Sequence, residues 1–94
     1  MEIRFHMDPD TGLPHIYNHG VTEDEVRQVL ARPVENRVGS ADSMVAAGQT
    51  SAGRYLRVFY APDSDGAGVF VITAYPLRGK QLKALRRRRR GKSP

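Results

Sequence analysis

Two strand-like runs in the second half of the chain, one alternating and one apolar throughout, set the expected fold. Arg54-Tyr55-Leu56-Arg57-Val58-Phe59-Tyr60 and Val69-Phe70-Val71-Ile72-Thr73-Ala74-Tyr75 are dense in β-branched and aromatic residues, the types that suit a pleated, half-buried surface. Between them Pro62, the Asp65-Gly66 pair and Gly68 supply turn residues, so the two runs read as an antiparallel hairpin. Period two places Leu56, Val58 and Tyr60 on one face and Tyr55, Arg57 and Phe59 on the other. The second run is apolar on both faces, as a central strand covered at least in part on both sides would be.

Upstream, Glu2 to His6 alternates with Ile3 and Phe5 inward, which predicts a short first strand. Pro14 and Gly20 bracket one or two helical turns, on which His15 and His19 share a side. The next helix carries its own start and stop signals. Thr22 and Glu25 have capping-box spacing, and Val21 and Val26 match as a hydrophobic staple. Glu23, Asp24 and Glu25 sit at the positive end of the dipole, Arg27 and Arg32 lie toward the other end, and Pro33 stops the helix. The spacing predicts a helix over 23–32. Asn36 to Val38 reads as a short strand, and 44–50 as another. The expectation is a meander of strands 44–50, 54–60 and 69–75, with the N-terminal strand at one edge. Gln81 to Leu85 forms a last helix with Leu82 and Leu85 on the sheet, and the arginines from Arg86 onward fray into solvent. The fold class is α+β: N-terminal helices on a three- to four-stranded antiparallel sheet, with residues 1–85 as one domain and 86–94 as a basic, flexible tail.

Charge sharpens this picture. Residues 80–94 hold eight lysines and arginines and no acid, leaving seven bases against all ten acids in residues 1–79. An acidic body with a strongly basic terminus suits a polyanion-binding protein, and equally a protein with a solubilising tail. The absence of cysteine excludes disulfides and thiolate metal sites. No apolar run approaches the roughly 20 residues that span a bilayer, and the first residues lack the form of a signal peptide. The chain reads as cytoplasmic, with no membrane partner. An apolar sheet on so small a domain also suits homodimerisation.

His19-Gly20-Val21-Thr22 followed by Glu25-Val26 resembles the Lys-His-Gly-Val-Ser opening of the BrnT family of toxins. Gly53 to Tyr60 and Val71-Ile72-Thr73-Ala74 are similar to that family's sheet and its Ile-Ser-Ala-Arg segment. The order of elements over residues 15–90 also resembles a broader family of small bacterial domains of unknown function. The resemblance implies a RelE-like fold, a ribonuclease of a type II toxin–antitoxin pair, and a cognate antitoxin as partner. Two departures matter: Tyr75 stands where the toxins have arginine, and no acid follows Asp65, whereas the toxins' last helix usually carries a glutamate.

RNA is cleaved through its own 2′-hydroxyl when a protein moves protons and stabilises the phosphorane. The acid–base candidates here are His15, His19, Tyr60, Tyr75 and Lys80, and the phosphate clamps are Arg57, Arg54 and Arg78. The expected catalytic set is His19, Arg57, Tyr75 and Lys80. RNA would be held by Arg54, Arg78, Lys83 and the run Arg86, Arg87, Arg88, Arg89 and Arg90. Simpler roles compete. Arg57 also reads as a sheet residue paired with a carboxylate or stacked on Tyr55 or Phe59, His19 as a helix-end residue bonded to a carbonyl, and Tyr75 as packing. His15 and His19 have metal-ligand spacing, but a third ligand would have to come from His6 or a loop aspartate. No metal or cofactor is therefore assigned. The alternative function is a non-catalytic nucleic-acid- or ribosome-binding module.

Overall fold

The computed structural model describes residues 1–91, apart from the Arg90 side chain. Five strands form one sheet: β1 (Glu2–Phe5), β2 (Glu35–Val38), β3 (Met44–Gln49), β4 (Tyr55–Pro62) and β5 (Gly68–Pro76), in the order β1-β5-β4-β3-β2. Two α-helices, α1 (Glu23–Ala31) and α2 (Gly79–Gly91), and a 3₁₀ turn at His15–His19 complete the described residues. The α+β class holds. The antiparallel sheet of three to four strands does not: five strands are present, and β1 pairs with β5 in parallel. An edge strand of four residues carries no local signal of its direction.

The parallel edge depends on one small residue. Gly68 lies opposite Glu2, and a Cβ at Gly68 would come within 2.3 Å of the Glu2 carbonyl oxygen. Gly68→Ala must therefore push β1 away and loosen Ile3 and Phe5 from the core they pack against. The expected loss is about 1–3 kcal/mol, read as a lower melting temperature, with amide exchange accelerated at residues 2–6 before the rest of the sheet.

The predicted α1 forms for the reasons its sequence gives. Thr22 Oγ1 accepts the Glu25 N–H at 3.2 Å, and Glu25 Oε1 accepts the Thr22 N–H at 3.0 Å. Arg54 closes this corner, donating to Glu25 Oε2 at 2.8 Å and to the Gly20 carbonyl at 3.0 Å. Val21, Val26 and Val29 are fully buried against Ala46, Leu56, Val58, Val71 and Ala74. Each such side chain is worth roughly 1.5–3 kcal/mol relative to its exposed state. Tyr60 belongs to this face too, where it is 7% exposed and donates to Asn36 Oδ1 at 2.8 Å. It is a core residue, set apart from the acid–base candidates on the other face.

The opposite face is covered at one end only. Leu85 and Leu77 are buried with Ala47, and Tyr55, Val34 and Leu82 pack around them. Here the expected end of the last helix is corrected: α2 is 13 residues long and runs on through the arginines. Leu82, Leu85, Arg86 and Arg89 recur at helical spacing on one side, and that side finds partners on the sheet. Arg88 makes a two-point ion pair with Glu35, with Nη2 to Oε1 at 2.8 Å and a second, shorter contact from Nε to Oε2. Arg89 donates to the Tyr55 hydroxyl at 3.1 Å and the Arg86 guanidinium lies 5.3 Å from the Tyr55 ring centre. These distant partners offset the mutual repulsion that the local sequence advertises. The expectations for residues 92–94 lie outside the described residues.

Candidate nucleic-acid interface

A bulge decides which side chains share the uncovered face. Phe59 pairs with Thr73, but Tyr60 pairs with Val71, so Ile72 is an extra residue on β5. Strict alternation from the buried Val69 and Val71 would send Thr73 and Tyr75 into the core. The bulge resets the phase, which buries Ala74 and turns Thr73 and Tyr75 to the same side as Phe59 and Arg57. Arg57 then sits directly between Ala47 on β3 and Tyr75 on β5.

Among the described residues Arg57 makes no hydrogen bond or ion pair, and no aromatic ring lies under its guanidinium. A half-buried arginine without a carboxylate beside it keeps its full donor fork unengaged. The simpler role, a sheet residue neutralised by its neighbours, is not what the geometry provides.

Histidines approach this row from the edge that β1 leaves open. The 3₁₀ turn lies beside β5, with Ile16 in the core and Gly20 ending it in a left-handed conformation at φ 71°. His19 meets Tyr75 edge-on at 6.2 Å between ring centres, and Tyr75 meets Phe59 at 5.6 Å. Behind His19 follow His15 at 5.3 Å and His6 at 5.8 Å from His15. Asp8 anchors this corner. Its carboxyl is held below its ordinary 3.8, first by the Asp10 N–H and then by the Asn18 amide. It therefore stays ionised 3.7 Å from His15 Nδ1. Among the described residues no three His, Asp or Glu side chains are arranged to hold a metal ion.

The basic part of the face lies two residues back along β4. Tyr55, Lys83, Arg86, Arg87 and Arg89 line an open cleft of ≈ 520 Å³. Tyr55, Arg57 and Phe59 follow one another at strand spacing, about 7 Å apart, so the cleft and the Arg57–Tyr75 row form one strip.

The expected catalytic set is thus partly assembled. Arg57, Tyr75 and His19 come together. Lys80 and Arg78 lie exposed at the β5–α2 junction, with no hydrogen bond or ion pair tying them to that row. Arg54 is on the α1 face, committed to Glu25. Arg88 is committed to Glu35, which raises its pKa above the ordinary value. Lys83, Arg86, Arg87 and Arg89 line the cleft, and the Arg90 side chain lies outside the described residues. Tyr55 was the residue missed as a platform. Its place two positions before Arg57 on the same face was the available signal. No family model, curated protein or solved structure matches this chain. No helix among the described residues is long and apolar enough to cross a membrane.

Proposed function

We propose that the protein binds single-stranded RNA across this strip and cleaves it as a toxin-type ribonuclease. The observation that carries the reading is the unpartnered Arg57, opposite Tyr75, whose ring meets His19 edge-on, and continuous with the cationic cleft on α2. Lys83, Arg86 and Arg87 attract the phosphates, and Tyr55 supplies an aromatic surface between them. At the row, Arg57 would hold two oxygens of the scissile phosphate. His19 takes the proton of the 2′-hydroxyl as its oxygen attacks phosphorus, and the bond to the 5′-oxygen breaks. Tyr75 returns a proton to that leaving oxygen. The products are a 2′,3′-cyclic phosphate and a 5′-hydroxyl. This reading carries a BrnT- or RelE-type kinship and an acidic antitoxin that would cover the same cations.

The second reading is a non-catalytic RNA- or ribosome-binding module. It is favoured by Tyr75 in the place of the toxins' arginine and by the absence of any acid after Asp65.

One assay separates the two. Purified protein is mixed with end-labelled single-stranded RNA over a series of salt concentrations. The four cleft cations, none ion-paired among the described residues, together with Arg57 predict a slope of log K against log salt of about −3.5, with cyclic-phosphate products accumulating. RNA that is bound yet intact gives the binding module. RNA that is neither bound nor cut removes both readings.

A further inference from the structure

Beyond Arg57 the strip ends in a second groove, which shares only Tyr75 with the cleavage chemistry. We propose that this groove is a nucleobase subsite, which accepts one base turned out of the strand whose phosphates follow α2. The proposal rests on the RNA reading and gives it a place for base recognition. The groove has a volume of ≈ 490 Å³, and its walls are Phe59, Tyr75, Ile72 and Thr73 with the loop at Ser40 and Ser43. A base is flat and apolar on its faces and polar only at its edge, and the lining has the same division.

Phe59 and Tyr75 meet edge to face, their planes 75° apart, so the ring that offers its edge keeps its own face unstacked by its partner. Ile72 is 38% exposed because the bulge turns it out of the core. Thr73 lines the groove, and its Oγ1 is buried with no hydrogen-bond partner among the described residues. A buried hydroxyl without a partner is costly, and a hydroxyl both donates and accepts, as the edge of a base requires. The loop wall is preformed. Ala41 and Asp42 hold φ values of 51° and 64°, rare for residues other than glycine, and the Gly39 N–H to Ser43 carbonyl bond of 2.8 Å closes the turn around them.

Position decides the occupant. The groove adjoins Arg57 directly, since Arg57 and Tyr75 are paired and Phe59 follows Arg57 on the same face of β4. A phosphate on Arg57 would bring the base of an adjoining nucleotide to this groove.

The test compares a labelled RNA hexamer with an abasic hexamer of the same length and charge, by fluorescence anisotropy. The intact RNA should bind wild-type protein about tenfold more tightly. Thr73→Val, which keeps the side-chain shape, and Phe59→Leu should each narrow the gap between the two affinities to the part that stacking on Tyr55 contributes, while leaving the abasic affinity and its salt slope unchanged. Thermal melts confirm that both variants fold. Equal binding of the two hexamers by wild type would overturn the subsite and leave RNA binding standing. A tenfold preference that survives both substitutions would place base recognition elsewhere and overturn it too. Failure of both hexamers to bind would remove the RNA reading and the subsite with it.

Discussion

Replacing Arg57 by alanine should lower the rate of RNA cleavage by about 10²–10³-fold and leave the melting temperature nearly unchanged. The two halves of this expectation have one cause. Arg57 has no carboxylate, carbonyl or ring partner among the described residues, so its loss strands no buried group. A half-exposed substitution of this kind costs at most about 0.5 kcal/mol of stability. What is lost is the preset fork of donors that meets the charge developing on phosphorus. Arg57→Lys retains the charge without the two-point geometry and should recover only part of the rate. Cleavage at an unchanged rate in Arg57→Ala would move the chemistry off the sheet. A large drop in melting temperature would show that the side chain serves the fold.

Leu85→Ala should release α2 from the sheet. Leu85 is 1% exposed and, among the described residues, is the fully buried side chain of the helix, packed with Ala47 and Leu77. Truncating a buried leucine costs about 2–5 kcal/mol, and Leu82 is the one other apolar side chain that α2 adds to this cluster among the described residues, so the loss cannot be spread. The rest of the helix interface is polar: Arg88 on Glu35, Arg89 on Tyr55, Arg86 over the Tyr55 ring. Exposed pairs of this kind contribute little each. The helix should therefore open locally while the five-stranded sheet and α1 persist. The run of arginines makes a convenient reporter. Trypsin should cut after Arg86 to Arg89 at least about 30-fold faster in the variant, the factor that 2 kcal/mol gives, and the circular dichroism of the sheet should be retained. RNA affinity should fall in parallel, because Lys83, Arg86, Arg87 and Arg89 form the cleft only while α2 is docked. An unchanged rate of proteolysis would mean that α2 is held by its arginines and that Leu85 is incidental.

These two residues show how unevenly the site could be read from the chain. Arg57 was conspicuous as a cation between two aromatics on a strand, and alternation alone placed it opposite the core face. That Tyr75 joins it was open, because the register of β5 was not encoded locally. Arg88 and Arg89 read as solvated charges, since nothing within a few residues could neutralise them. Their partners, Glu35 and Tyr55, lie 53 and 34 residues away in the chain.

The sequence by itself determined α1, the hairpin β4–β5 and the face on which Leu56, Val58 and Tyr60 are buried. Those features rest on interactions between residues a few positions apart, or on the period of a single strand, and such signals survive in a linear string. Tertiary structure decided the parallel pairing of β1 through the contact at Gly68, and the length of α2 through its docking. It also decided the bulge at Ile72, which turns Tyr75 toward Arg57 and away from the core. Each of these depends on which backbone lies alongside which, and the chain acquires that information only when the two segments meet.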